Sequence, residues 1–360
     1  MFIAFANGQN DVSKGIATLV GSGVTGYRRA ILWGSVWTGL GGLAGAILGT
    51  AMISTFGRGL LSPDVAPTYA AALATILGAA SWVTIATRSS LPVSTTHAIV
   101  GSLTGVAVLA YGVGGVHWET VAHKLVLPLI AGPFLALAAT AAILTGWRPG
   151  SRGVRDCACI VSPTLVPITA MSSGGVVRIA ITGPQVVVAT SAECARERPA
   201  AVRVTLDHLH WLTSGATSFA RGLNDAPKIV ALVIAGSLLS GGAIATSWWF
   251  AVVTLAMVTG SLFGGLRVTR VLAEKVTPMD HREGFSANLV TATLVGLAAY
   301  KGLPLSTTHV STGAILGAGV TRKAAIDWKT VRHLLLAWIV TVPAAAVLGM
   351  IAYVAVRWIG

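Results

Sequence analysis

The chain has 360 residues, of which 54% are hydrophobic and only 10% are charged, and its mean hydropathy is +0.76. Soluble domains carry about 25% charged residues, so this composition excludes a water-soluble globule and indicates an all-α polytopic membrane protein in a lipid bilayer. The formal net charge of +13 does not indicate nucleic-acid binding, because the basic residues concentrate in loops. Lysine and arginine in loops keep those loops on the cytoplasmic side of a membrane.

Apolar runs approaching or exceeding the roughly 20 residues that span a bilayer recur along the chain. They are Ile31–Ile53, Tyr69–Ala86, Leu125–Thr145, Ile229–Leu239, Ser247–Leu266, Ser286–Tyr300 and Leu334–Val356. The opening residues MFIAFANGQND become polar too early for a cleavable signal peptide, and the first helix is short on its N-terminal side. We leave open whether the natural chain begins upstream of Met1, and we predict a multi-pass protein of the plasma membrane or bacterial inner membrane.

Two short motifs each occur twice, in the same order. An Asn-Asp pair ends at Asp11 and again at Asp225, and the sequence PxSTTH begins at Pro92 and again at Pro304. The copies are separated by 214 and 212 residues respectively. This agreement indicates an internal duplication, which in membrane proteins is typical of transporters with a site between the two repeats.

The duplication predicts two transmembrane repeats, residues 1–147 and 207–360, joined by a basic extramembrane loop, residues 148–206. Within the loop, the stretch VVRIAITGPQVVVAT has β character and predicts a small hairpin. Arg28 and Arg29 follow the first Asn-Asp motif, whereas the corresponding segment of the second half is uncharged. Because positive charge marks one side of the membrane, we expect the repeats to be inverted.

Three cysteines lie in the predicted loop: Cys157, Cys159 and Cys194. Their spacing lacks the fourth ligand and the CxxC pattern of a zinc site, so we predict no metal there. Unpaired thiols are the expected state. A disulfide from Cys194 to either of the other two cysteines, or a metal, is the alternative.

The PxSTTH motif combines a helix breaker with a helix start. Proline cannot continue a helix, and a serine or threonine shortly after it is a good N-cap, so each copy predicts a break followed by a fresh helix. A helix start presents unpaired N–H groups and a partial positive charge, and in a membrane such backbone must be buried or line a wet cavity. Together the copies predict a cradle for a tetrahedral oxyanion without a permanent cation. The cradle residues are Ser94, Thr95, Thr96, Ser306, Thr307 and Thr308.

The Asn-Asp motif places two carboxylates in apolar sequence. A charged side chain at the centre of a bilayer costs roughly 2.5–3.5 kcal/mol on insertion scales, so Asp11 and Asp225 are expected to serve a cation, a proton or a lysine. The amide oxygens of Asn10 and Asn224 suit a hard cation such as Na⁺. Anion donors and cation ligands in one duplicated core indicate a symporter.

Several functions stay open at this point. His97 and His309 fall in the first turn of the predicted helices and either carry protons or form structural hydrogen bonds. Sulfate is a rival substrate, although carboxylates beside the anion favour phosphate, which can share a proton with them. An intramembrane hydrolase using Ser94 and His97 would not need two copies, and a G-x-S-x-G elbow does not occur. A passive channel would not need buried aspartates, so we predict a transporter and not an enzyme.

With both motifs in place, the sequence resembles the inorganic phosphate transporter (PiT) family of sodium- or proton-coupled phosphate permeases. The resemblance covers both halves of the chain apart from the loop. It implies an inverted-repeat helical fold with two re-entrant hairpins, a central phosphate site cradled by the STTH residues, and two cation sites. The residues that the resemblance assigns to the cation, and to contact with phosphate, are Asn10, Asp11, Asn224 and Asp225.

The sequence departs from the family pattern once in each half. The family signature N-D-V-A-N ends in a second asparagine, where this chain has Lys14 and Lys228. Either the two ammonium groups pair with the aspartates in place of a bound cation, which predicts weaker sodium dependence and proton coupling, or both lysines extend to a membrane interface. The expected function is H⁺- or Na⁺-coupled import of inorganic phosphate by alternating access, with no cofactor beyond a bound Na⁺. We leave open whether two copies form a homodimer.

Overall fold

The fold, seen in a computed structural model, is that of a helical membrane protein. The structure describes residues 1–57, 59–147, 157–161, 165–168, 178–181, 185–190, 194, 202–239, 246–322 and 326–359. Most of the predicted loop, including its arginines at 148, 152, 155, 196 and 198, lies outside these residues.

The helices of the first half are α1 (Phe2–Asp11), α2 (Ser13–Gly21), α3 (Tyr27–Leu48), α4 (Thr50–Gly57), α5 (Tyr69–Arg88), α6 (Thr95–Tyr111), α7 (Trp118–Thr120) and α8 (Leu127–Gly146). A 3₁₀ turn, Val113–Gly115, precedes α7, and a π-helical segment, Val121–Val126, joins α7 to α8. The helices of the second half are α9 (Leu206–Leu239), α10 (Thr246–Gly264), α11 (Leu266–Glu274), α12 (His281–Tyr300), α13 (Thr307–Arg322) and α14 (Trp328–Ile359).

Five helical segments of the described chain are long and apolar enough to cross a membrane, which confirms the polytopic class. They are Tyr27–Leu48, Tyr69–Arg88, Trp118–Gly146, Thr246–Gly264 and Trp328–Trp358. The predicted run Ile31–Ile53 is confirmed as a span over Tyr27–Leu48, but its C-terminal end is corrected, because the chain breaks at Gly49 between α3 and α4. A side chain at Gly49 would collide with the ring of Pro227 in α9, so close packing explains the glycine at this break.

The two halves pack into each other through matching helix pairs. Helix α1 packs against α10 of the second half, and α9 packs against α3 of the first half. In each pair a glycine touches the partner's backbone: Gly8 lies against Met257, and Gly222, which is 214 residues later, lies against Thr38. A Cβ at either glycine would clash with a carbonyl oxygen, so small residues permit the close helix approach.

The last helix of each half packs on the other half as well. Helix α8 lies against α13, and α14 lies against α5 and α6. The largest buried apolar cluster accordingly draws on both halves, with Ile3, Val83 and Ile99 packed together with Ile229 and Met257. The core therefore sits at the junction of the halves, where the predicted site residues also lie.

The loop between the halves contains short antiparallel strands. They are β1 (Cys157–Val161), β2 (Leu165–Ile168), β3 (Arg178–Ile181), β4 (Gln185–Ala189) and β5 (Val202–Thr205). Strand β1 is central in the order β4-β1-β5, with Cys157 opposite Ala189 and Thr205, while β2 pairs with β3. The predicted hairpin was wrong in its pairing, because β3 and β4 each pair with a different partner strand.

The cysteine prediction is also corrected. Cys157 forms a disulfide with Cys194, and Cys159 is a buried free thiol whose Sγ lies 3.4 Å from Cys194 Sγ. Successive side chains of a strand alternate between faces, so residues 157 and 159 of β1 share one face and both approach Cys194. The prediction of unpaired thiols is therefore confirmed for Cys159 alone.

Candidate functional site

Both PxSTTH motifs begin helices as predicted, α6 at Thr95 and α13 at Thr307. Ser94 is the N-cap of α6, where its hydroxyl accepts a hydrogen bond from the His97 N–H at 3.2 Å. Ser306 accepts the equivalent bond from the His309 N–H, also at 3.2 Å. The same cap geometry therefore terminates both breaks, as expected for serine after a proline turn.

The two helix starts face each other across the junction of the halves. Thr308 Oγ1 donates to the carbonyl of Val93 at 2.8 Å, which joins the second start to the segment preceding the first. The rings of His97 and His309 stack with centroids 4.4 Å apart, and Trp338 covers the other face of His309 at 3.7 Å. All six cradle hydroxyl residues are buried, so the structure is closed around them.

Asp11 stands at the end of α1 beside the first helix start. Its carboxylate accepts hydrogen bonds from Asn7 Nδ2 at 2.7 Å, Thr95 Oγ1 at 2.8 Å and Lys14 Nζ at 2.6 Å. The carboxylate thus binds a cradle hydroxyl and an ammonium group at once. This arrangement brings the Asn-Asp and STTH motifs of one half together, as the sequence predicted.

Lys14 takes the place that the sequence assigned to a hard cation. Its Nζ lies 2.6 Å from Asn10 Oδ1, 2.8 Å from the Asn10 carbonyl oxygen and 2.6 Å from Asp11 Oδ1. The ammonium therefore occupies a site formed by three oxygens, of the kind that would ligate Na⁺. Lys14 is 0% exposed and Lys228 is 1% exposed, so the alternative in which both lysines extend to an interface is wrong.

The second half repeats the pair with different partners. Lys228 Nζ lies 3.2 Å from Asp225 Oδ1 and donates to Thr96 Oγ1 at 2.7 Å, so it reaches the cradle of the opposite half. Asp225 also accepts from Asn224 Nδ2 at 2.9 Å and from Asn7 Nδ2 at 3.1 Å. The Asn7 amide therefore bridges both aspartates.

The motif asparagines hold the broken backbone ahead of each helix start. Asn10 Nδ2 donates to the Leu91 carbonyl at 3.0 Å, and Asn10 Oδ1 accepts from the Val93 N–H at 3.2 Å. Asn224 Nδ2 donates to the Leu305 carbonyl at 3.0 Å, while Asn224 Oδ1 is buried and has no partner in the described chain. Each amide thereby satisfies backbone groups that a helix break leaves open.

Arg221 and Asn7 belong to this cluster, although the sequence reasoning did not single them out. Arg221 is 0% exposed; its guanidinium donates to Thr38 Oγ1 at 2.7 Å and lies 3.4 Å from Asn7 Oδ1. The two residues are 214 residues apart, the same separation as the Asn-Asp motifs. That shared offset, next to the second Asn-Asp motif, was the signal that could have identified them.

The cradle therefore differs from the prediction in its charge. At their ordinary charges, Lys14, Lys228 and Arg221 carry three positive charges against the two negative charges of Asp11 and Asp225. The cradle was expected to lack a permanent cation, but Lys228 donates to Thr96 and Lys14 binds the carboxylate that accepts from Thr95. The excess of one positive charge in the whole cluster suits an anion.

The described residues contain no group of three or more His, Cys, Asp or Glu side chains placed to hold a metal ion. Ser306 Oγ lies 2.6 Å from His309 Nδ1 and also caps α13, whereas His97 Nδ1 has no partner among the residues described.

Helices at membrane length surrounding a buried polar cluster define the class of protein as a helical membrane transporter. The sequence profile of the phosphate transporter family matches residues 7–349, so the chain belongs to that family. It is 30% identical to a protein named as a phosphate permease in Haemophilus influenzae, over 99% of this chain and 95% of the relative.

Two further comparisons agree with that assignment. The chain is 26% identical to a Rhizobium meliloti protein named "Probable low-affinity inorganic phosphate transporter", over 99% of this chain and 93% of the relative. A solved structure titled "The sodium-dependent phosphate transporter" superposes with a TM-score of 0.77 at 23% identity, covering 100% of this chain and 97% of that one. The structural likeness establishes the fold.

Proposed function

We propose that this chain imports inorganic phosphate across the plasma membrane, or bacterial inner membrane, as a cation-coupled symporter. The observation that carries the proposal is the pairing of two capped helix starts around a buried cluster with one excess positive charge. Phosphate would lie between the hydroxyls of the two STTH segments and the N–H groups of α6 and α13. The family assignment supports phosphate as the anion.

Phosphate fits this cluster better than sulfate for a chemical reason. Asp11 accepts from Thr95 and Asp225 lies in the same network, so an anion in the cradle would meet carboxylates. A protonated phosphate can donate to a carboxylate, whereas sulfate brings no proton. Sulfate remains the rival substrate that the transport experiment must separate.

Alternating access would follow from two inverted repeats, residues 1–147 and 207–360, each with a re-entrant hairpin. The hairpins would be α5–α6 and α12–α13, which pack as pairs. Helix α6 has 17 residues and α13 has 16. At a rise of 1.5 Å per residue these lengths are about 25 Å, short of the roughly 30 Å hydrocarbon core. Helices shorter than the hydrocarbon core are what re-entrant hairpins require.

The lysines support H⁺ over Na⁺ as the coupling ion. Because the Lys14 ammonium is bound by the oxygens of Asn10 and Asp11, a Na⁺ ion would have to displace it from that site. Phosphate entry would instead be accompanied by protons shared within the carboxylate–lysine pairs. Any Na⁺ would find its best oxygen at Asn224 Oδ1, which has no partner among the described residues.

The test is uptake of labelled phosphate into proteoliposomes with an inward H⁺ gradient, an inward Na⁺ gradient or neither. We expect concentrative uptake with the H⁺ gradient and competition by unlabelled phosphate but not sulfate. Liposomes without protein are the control. Uptake that only equilibrates would contradict symport, and concentrative uptake with Na⁺ alone would contradict the proton assignment.

A further inference from the structure

The buried cations of the site differ in how their charges are compensated. Lys14 and Lys228 each form an ion pair with the aspartate three residues earlier, at 2.6 Å and 3.2 Å. Arg221 forms no ion pair with any carboxylate of the described chain. Its neighbours are neutral oxygens, from Thr38, Ser261 at 3.5 Å and Asn7, and its Nε has no partner there.

A fully buried guanidinium without a counter-ion is costly unless a charge nearby compensates it. Asn7 links Arg221 to the two aspartates by hydrogen bonds. The side-chain oxygen of Asn7, Oδ1, accepts from the guanidinium, and its side-chain nitrogen, Nδ2, donates to Asp11 Oδ2 and Asp225 Oδ2. The donor and acceptor directions are mutually consistent, because reversing the amide would place its oxygen against both carboxylates.

We propose that Arg221 is a positioning residue that supplies the positive charge for anion binding, a role that rests on the proposed function. Its guanidinium supplies the one uncompensated positive charge of the cluster. Through Asn7 it also holds the two aspartates, one from each half, beside each other. The ligand that neutralises this charge is a tetrahedral oxyanion in the cradle. A site without Arg221 would be electrically neutral and would bind such an anion weakly.

A purely structural role is the competing explanation, because Arg221 also ties α9 to α3 through Thr38 and to α10 through Ser261. Three variants separate the two. Arg221→Gln removes the charge, Arg221→Lys keeps the charge but loses the fork geometry, and Thr38→Val with Ser261→Ala keeps the arginine but removes two of its partners.

The experiment measures binding of phosphate and of sulfate to purified wild type and variants by calorimetry, with the KM and maximal rate of phosphate uptake measured alongside. For phosphate we expect Arg221→Gln to weaken binding by at least about tenfold and to raise KM similarly. Arg221→Lys should stay within about threefold of wild type, and the Thr38, Ser261 double variant should match wild type. Thermal unfolding reports separately whether each variant is folded.

Each outcome decides the inference. A folded Arg221→Gln that binds phosphate like wild type would overturn the role of Arg221 and leave phosphate transport standing. The role of Arg221 would also be overturned if the Thr38, Ser261 double variant bound phosphate as weakly as Arg221→Gln and if Arg221→Lys did not restore binding. Wild type that binds sulfate but not phosphate, with the same order of variants, would overturn the substrate and support Arg221. Folded wild type that binds neither anion would overturn both proposals.

Discussion

The two Asn-Asp motifs have the same pattern and, since Val12 between α1 and α2 keeps helical dihedral angles, similar backbones, but their lysines have different partners. In the first half, α1 ends at Asp11 and α2 begins at Ser13. In the second half, α9 continues from Leu206 to Leu239, although Pro227 occupies the position that corresponds to Ser13. A proline inside a helix removes a hydrogen bond and usually kinks or breaks it. Here the Pro227 ring packs against Gly45 of α3 and against Gly49 at the break after it.

The side-chain amines of the two lysines have different hydrogen-bond partners. The Lys14 ammonium donates to Asn10 and Asp11 of its own half, whereas the Lys228 ammonium also donates to Thr96 in the opposite half. Separating the halves would leave the contacts of the Lys14 ammonium intact and would break the Lys228–Thr96 bond. Of the two ammonium groups, only that of Lys228 therefore depends on how the halves pack together.

The largest expected effect comes from removing one carboxylate. Asp225→Asn would leave the buried Lys228 without its counter-charge, which typically costs about 3–5 kcal/mol. We expect a large fall in thermal unfolding temperature and loss of phosphate uptake. Adding Lys228→Met should restore much of the stability but not the uptake. Wild-type uptake by the single variant would contradict the ion-pair account.

The next effect concerns the coupling ion. Lys14→Asn with Lys228→Asn restores the asparagines of the family signature and frees the oxygens of Asn10 and Asp11. We expect Na⁺ to stimulate uptake by at least about tenfold in this variant and little in wild type. The matched control is Lys124→Asn, at an exposed lysine outside the site. Unchanged cation dependence in the double variant would refute the substitution of lysine for Na⁺.

Local chemistry made the helix starts predictable, whereas contacts between distant residues were not. A proline followed by Ser94 or Ser306 defines a cap through neighbours alone, and both caps formed. The Asn7–Arg221 contact joins residues 214 apart, and neither residue type identifies its partner. The break at Gly49 likewise depends on Pro227 in another helix, so an apolar run was read as one span.

A smaller effect should follow from crowding the two glycine contacts that join the halves. Gly8→Ala would press against the Met257 carbonyl and Gly222→Ala against the Thr38 carbonyl. Overpacking of this kind costs about 1–3 kcal/mol, so both variants should unfold at lower temperature. Gly114→Ala is the control, because a Cβ there meets nothing within 4 Å. If only one glycine were sensitive, the packing of the halves would not be equivalent.

The smallest effect distinguishes the two helix caps. Replacing an N-cap serine by alanine costs about 1 kcal/mol, and replacing it by glycine costs only a few tenths. Ser94→Ala should show the cap cost alone, whereas Ser306→Ala should cost more because Ser306 Oγ also lies 2.6 Å from His309 Nδ1. Thermal unfolding of the two alanine variants, with Ser94→Gly as the control, measures the difference. Equal losses at both positions would mean that the serine–histidine contact adds no stability, and the stacked histidines would then be held by Trp338 and by each other.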